Sequence, residues 1–262
     1  MENLLKDEST LRRLKTGGIL LFVFIFLVWL NSFTINFILF AIMLGFAFFE
    51  SLKLYGLQEE SKYWFLLPFG FLSVIPFLTY EEPFSAGIKV SVFMIVFAAS
   101  ILAYIKANSL KILLPLLYPT IPIFLMFSLY NDLGIFYFVW MIFIVIASDS
   151  GAYFIGKAFG RTKFSQTSPN KTIEGLLGGL AVSFFVSLLY AKIWTNLDFK
   201  DIFVTTIIVA IFGIFGDLFE SYLKRSVGVK DSGDLFPGHG GMLDRIDGYL
   251  FGAIAMFLIY SW

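Results

Sequence analysis

The chain has 262 residues, 58% of them hydrophobic and only 15% charged, with a mean hydropathy of +0.84. Soluble domains are nearer half apolar and a quarter charged, and 34 Phe residues would need an implausibly large core in water, so these figures exclude an ordinary soluble domain and indicate an integral membrane protein. A net charge of zero gives no global field for nucleic acid, and the absence of cysteine excludes a disulfide framework.

Taken in chain order, the apolar runs predict an all-α, polytopic protein with nine spans, at roughly 17–31, 33–52, 63–80, 86–105, 110–129, 133–155, 174–194, 201–222 and 243–261. The first run leads into another span rather than a small-residue cleavage site, so no secretory signal is expected. A tight turn near Asn31 and Ser32 makes the first two spans a hairpin. Glu50, near the end of the second span, reads as a helix-end residue at the interface or as a functional acid. The fifth span holds Pro115, Pro119 and Pro122 and should kink, because each proline removes a backbone donor. Such a break is tolerated only where neighbours satisfy the freed groups.

Of the 19 Lys and Arg residues, only Lys89, Lys192 and Lys200 fall on one side of this nine-span arrangement. The positive-inside rule then places the N-terminus and the loops around Lys163 and Lys230 in the cytoplasm, and the C-terminal Trp262 outside the cell membrane. Residues 1–140 form a greasy N-terminal half, and residues 141–262 carry nearly all the unusual polar chemistry.

Three polar constellations follow. The first runs from Ala147 to Gly179, "ASDSGAYFIGKAFGRTKFSQTSPNKTIEGLLGG". Asp149 lies in or just below the sixth span, and an acid at that depth is a functional candidate, the alternative being an ion pair with Lys157. Ser168 or Asn170 is expected to cap the seventh span, with Lys171 beside the helix N-terminus as an anion site or a routine cytoplasmic lysine. Gly175, Gly178 and Gly179 read as residues for close helix packing rather than as a phosphate cradle. The second constellation is "GDLFESYLKR", where helical spacing puts Asp217, Glu220, Ser221 and Lys224 on one stripe. There Asp217 is expected to be buried, while Glu220 and Lys224 fit an ordinary surface pair.

The third is "VGVKDSGDLFPGHGG", a loop by composition, followed by a helix opening "MLDRIDG". Asp244 and Asp247 share a face at the first turn of that helix. Paired carboxylates repel unless a cation sits between them, and magnesium takes carboxylate oxygens together with substrate phosphates. The glycines around His239, the only histidine, allow positive φ or close backbone approach to a ligand. Acids for a metal, cations for phosphates and a glycine loop describe nucleotidyl or phosphoryl transfer. A site at the bilayer edge suggests one lipid and one water-soluble substrate.

The segment "SYLKRSVGVKDSGDLFPGHGGMLDRID", residues 221–247, resembles the signature of the phosphatidate cytidylyltransferases, also called CDP-diacylglycerol synthases. The pattern S-x-x-K-R, K-D, P-G-H-G-G and D-R-x-D is complete at the family's spacing, and "SDSGAYFIGKAFGR" and "SPNKTIEG" look like its upstream block. The resemblance covers about residues 145–250. It implies synthesis of CDP-diacylglycerol and pyrophosphate from CTP and phosphatidate at the cytoplasmic membrane face. It also implies Asp217, Asp244 and Asp247 around magnesium, with room for a second cation. Lys224, Arg225, Lys230 and Lys171 would bind phosphates, with Asp231 and Arg245 completing the motif. Ser168, Asn170 and Asp149 would lie on the substrate side, and His239, Gly240 and Gly241 would form the loop over the nucleotide. Dimerisation is common for such proteins, so a homodimer is an expectation, although no residue marks an interface. Two rivals stand beside this reading. A CTP-dependent polyprenol or phytol kinase would use similar groups, and a transporter would spread its polar residues through several spans near the midplane.

Overall fold

In the computed structural model, residues 8–57, 59–79 and 85–261 are described, and all their regular structure is helical. Lys6, one of the cations assigned to the cytoplasmic side, and Trp262, assigned to the outside, lie outside the described residues. The helices are α1 (Glu8–Leu30), α2 (Phe33–Leu54), α3 (Leu66–Leu72), α4 (Ile75–Thr79), α5 (Ala86–Tyr104) and α6 (Leu113–Pro115). They continue with α7 (Ile121–Leu133), α8 (Ile135–Phe159), α9 (Ile173–Trp194), α10 (Phe199–Ser226) and α11 (Leu243–Tyr260).

Every expected span coincides with a helical stretch. Among the described residues, seven stretches are long and apolar enough to cross a bilayer. The other two are the shorter apolar part of α1, Gly17–Leu30, and α11, whose first five residues include Asp244, Arg245 and Asp247. The third expected span is a chain of pieces: a 3₁₀ turn at Glu59–Phe65, then α3 and α4. Asn31 takes a positive φ and Ser32 is extended, so the chain turns sharply between α1 and α2.

The kink in the proline-rich span falls at Tyr118, whose backbone is extended (φ −140°, ψ 121°) inside a π turn at Leu116–Thr120. A freed carbonyl finds its donor locally, because Thr120 Oγ1 donates to Pro115 O at 2.9 Å. The displaced Tyr118 ring packs edge-on against Phe219 of α10, with centroids 4.9 Å apart.

Close pairing of α8 with α9 and of α10 with α11 frames the C-terminal half. Small residues permit it. A Cβ at Gly179 would collide with Ser148 O, and one at Gly175 with Ala152 O. Gly216 of α10 lies as tightly against Asp247 O of α11. The expected packing role of Gly175 and Gly179 is therefore what their surroundings require. Deeper in the bundle, Trp140 Nε1 donates to Ser187 Oγ at 2.8 Å, and Ser187 Oγ lies 2.5 Å from Thr206 Oγ1, joining α8, α9 and α10. The two halves are not separate bodies: α7 packs on α11, and α2 touches both α10 and α11.

Candidate active site

The 160–172 segment is folded back by its own side chains. Thr172 caps α9, its Oγ1 accepting from Gly175 N at 3.1 Å, so the expected caps Ser168 and Asn170 are corrected to a residue later in the chain. The side chain of Glu174 accepts from Arg161 N, Thr162 N and the Thr162 hydroxyl. A bridge between Lys163 and Thr172 closes the loop. This folding presents Lys171 to α10, where its Nζ lies 2.5 Å from Asp217 Oδ2. The carboxylate of Asp217 is not buried as expected: its side chain is 34% exposed and lines a cavity of about 540 Å³. Ser221, one turn along, donates to Asp217 Oδ1 at 3.3 Å, in keeping with the predicted stripe.

The other members of that stripe depart from expectation. Glu220 is 0% and Lys224 9% exposed, so they are no surface pair. Lys224 Nζ donates to Glu220 Oε2 at 2.7 Å and to Asp244 Oδ1 at 2.6 Å, joining α10 to the first turn of α11. Glu220 Oε1 is buried with no hydrogen-bond partner.

Asp244 organises the loop between α10 and α11. Its Oδ2 accepts from Ser232 N (2.8 Å), Ser232 Oγ (2.9 Å) and Gly241 N (2.8 Å). All three contacts engage loop atoms 3 to 12 residues away, so one carboxylate gathers a segment with no regular structure of its own. Gly238 and Gly240 have φ of +77° and +82°, the left-handed region expected around His239. The close approach made by Gly240 and Gly241 is to the protein's own acids. A Cβ at Gly240 would meet the Asp244 carboxylate, and one at Gly241 would meet that of Glu50.

Glu50 is the residue that the sequence left between two readings. From the end of α2 its Oε1 accepts from Met242 N at 2.7 Å, and its Oε2 from Leu243 N and Ser232 Oγ, each at 2.8 Å. Those amides are unsatisfied donors at a helix N-terminus, and the cap residue Met242 has no side-chain acceptor for them.

The 540 Å³ cavity is also lined by Asp149, Ser168, Asn170, Lys171, Lys224 and Asp247. Arg225, Lys230, Asp231, Asp244 and Arg245 complete its predicted complement. Asp149 faces this space, whereas Lys157, its alternative partner, sits over the Tyr153 ring at 5.7 Å. Arg225, Lys230 and Arg245 are exposed. His239 and Gly240 line an adjoining cavity of about 490 Å³, which also takes in Asp234 and shares Lys230, Asp231 and Arg245 with the first. Gly241 lines neither.

Among the described residues no three acids or imidazoles form a ready metal cage. The donor set still suits magnesium, which usually completes its shell with water and substrate phosphates. Asp217 and Asp247 open onto a cavity shared with five cations, and Asp244 can join only through Oδ1, which Lys224 also holds, since Oδ2 already accepts three donors. Taken together, this arrangement can bind several phosphates and neutralise charge that develops between them.

The sequence matches the model of the cytidylyltransferase family over residues 11–262. It is 36% identical to a phosphatidate cytidylyltransferase of Helicobacter pylori strain J99, over 98% of this chain and 93% of that protein. A phosphatidate cytidylyltransferase of Thermotoga maritima is 32% identical over 81% of this chain and 83% of its own length. The chloroplastic phosphatidate cytidylyltransferase 5 of Arabidopsis thaliana is 49% identical over 42% of this chain and 28% of its own.

Proposed function

Because the chain belongs to the cytidylyltransferase family, we infer that it transfers the cytidylyl group of CTP to phosphatidate, giving CDP-diacylglycerol and pyrophosphate. One observation carries this reading beyond the family: the acids and cations of the motif line a single cavity in a bundle of apolar helices. A nucleotide from water and a phosphate on a lipid can meet at such a place.

In the mechanism, an ionised oxygen of the lipid phosphate attacks the α-phosphorus of CTP in line. A new P–O–P bond forms as the bond from the α-phosphorus to the pyrophosphate oxygen breaks, and the electron pair leaves with pyrophosphate. No covalent enzyme intermediate is required. Lys171, Lys224, Arg225 and Lys230 hold phosphates and offset the charge of the transition state. Magnesium, held by Asp217 and Asp247 with Asp244 through Oδ1, would supply Lewis-acid neutralisation of the same phosphates. The assay is labelled CTP with phosphatidate in detergent. CDP-diacylglycerol is expected, whereas CDP alone would indicate a kinase and no conversion a transporter.

His239 binds rather than takes a proton. The second pKa of a phosphate monoester is about 6, so phosphatidate already offers an ionised nucleophile at neutral pH. His239→Gln should lower the rate or raise the CTP requirement and leave the shape of the pH–rate profile unchanged. Loss of the wild type's acidic limb in the Gln variant would make His239 the titrating base.

We place the motif face in the cytoplasm with nine spans crossing the membrane, from the distribution of Lys and Arg. Helix ends support the alternation: Glu50 at the end of α2 meets the start of α11, and Asn36 near the start of α2 donates to Tyr130 near the end of α7. With no native cysteine, Lys163→Cys and Asp198→Cys can be probed without background. In right-side-out vesicles an impermeant thiol reagent should label position 198 and spare 163; the reverse pattern would overturn the orientation.

A further inference from the structure

The acids and cations that line the main cavity all come from α8 to α11 and their loops. Glu50 comes from α2, 182 residues before Ser232 in the chain. It is the only acid in α2, at the end of an apolar helix. Its carboxylate takes two amides at the start of α11 and the hydroxyl of Ser232, which is 1% exposed.

The Ser232 hydroxyl lies 2.8 Å from Glu50 Oε2 and 2.9 Å from Asp244 Oδ2. One hydroxyl proton therefore serves two carboxylates, and Ser232 N is already committed to Asp244. Any movement of Glu50 is felt at Asp244 through one shared atom, and through Asp244 at Lys224. The negative charge of Glu50 also suits a helix N-terminus, where the macrodipole is positive. Gly241 gives it room, since any Cβ there would overlap the carboxylate.

We propose that Glu50 is a positioning residue for cytidylyl transfer: its carboxylate clamps the start of α11 and Ser232, and so fixes Asp244 and Asp247 toward the cavity. The proposal rests on the reaction assigned above. Glu50 lies outside the cavity lining and acts only through these groups. Its removal should therefore disturb the geometry of the transition state more than the binding of CTP.

The experiment uses purified wild type, Glu50→Gln, Glu50→Ala and Ser51→Ala. Gln retains one acceptor oxygen, and Ala retains none. Ser51 is a buried neighbour on α2 that bonds only to its own helix, through Phe48 O, so it reports on packing of α2 without the clamp. Glu50→Gln should lower kcat about tenfold and Glu50→Ala about a hundredfold, the scale of a small misplacement of reacting groups. KM for CTP should stay within about threefold, as expected when the lost interaction serves the transition state. Amide exchange at Met242 and Leu243 should quicken about tenfold or more in the Ala variant, each lost acceptor freeing a helix-end donor. Ser51→Ala should lower thermal stability and keep kcat.

The proposal fails if both Glu50 variants keep kcat within about twofold, if exchange at 242 and 243 is unchanged, or if Ser51→Ala loses as much kcat. Should the Ala variant not fold, the Gln variant decides by the same readings. A wild type that makes no CDP-diacylglycerol would sink the assigned reaction, while amide exchange would still judge the clamp by itself.

Discussion

Lys224→Met gives a protein that is both less stable and inactive. Lys224 is the cation between Glu220 Oε2 and Asp244 Oδ1, at 2.7 and 2.6 Å, in a setting where Glu220 has no exposed surface. Methionine fills similar volume and leaves both carboxylates without their counter-ion. Breaking a buried pair by removing one partner costs about 3–5 kcal/mol, because the remaining charge stays desolvated. Here Glu220 cannot turn to solvent, since it has no exposed surface. On the proposed role of Lys224 in holding phosphates, its loss should lower kcat by a further factor of about 10² to 10³. Thermal unfolding in detergent, and CDP-diacylglycerol formation by the fraction still folded, measure the two effects separately. Lys224→Arg would not be conservative, because a planar fork cannot replace a point charge between two acids. A Met variant with wild-type melting and turnover would show that the lysine is dispensable to both.

Asp244→Asn should lower turnover by about 10² to 10³, for two reasons acting together. The carboxylate accepts from Ser232, Gly241 and Lys224, and an amide presents an NH₂ group to one of those donors. The loop carrying Lys230 and His239 then loses its anchor. On the proposed magnesium site, the same change would also withdraw a negative oxygen from the ion, so half-saturating magnesium should rise. Titrating magnesium against rate separates these effects: reduced kcat at an unchanged magnesium requirement leaves only the anchoring role. Near-normal turnover with normal magnesium dependence would exclude both.

Much of this arrangement was legible in the sequence. The apolar runs gave every helical stretch, because a spanning helix must be long and greasy. The proline triplet gave the kink, and the motif together with its upstream blocks held every cation that lines the main cavity and every acid there except Asp217. Partnerships across helices were less legible. Nothing local distinguishes a surface Glu220–Lys224 pair from a buried one; the burial comes from α11 closing over α10. Asp217 follows an apolar run and so reads as buried, yet α10 turns it toward the space opened by Lys171. The cap of α9 was misassigned because Ser168, Asn170 and Thr172 are all good capping residues, and only the chain's path selects one.

Glu50 left a trace that spacing rules overlook. The start of α11, "GGMLD", offers no Ser, Thr, Asn or Asp at the cap, so its first amides must find an acceptor elsewhere. A largely apolar α2 with a single acid supplies that acceptor. An uncapped helix start and a lone acid in a distant span are separately unremarkable, and become informative as a pair.

Where α8 and α9 cross, Gly179 lies against Ser148 O and Gly175 against Ala152 O, closer than any side chain would permit. Two backbones in contact leave no gap for a hydrocarbon chain. That flank of the cavity is a closed wall, and the tails of a lipid whose phosphate sits beside Lys171 must trail away along another side. The glycines that draw these helices together therefore also set the direction of traffic, limiting the paths by which a diacyl substrate can slide in from the bilayer and its product slide out.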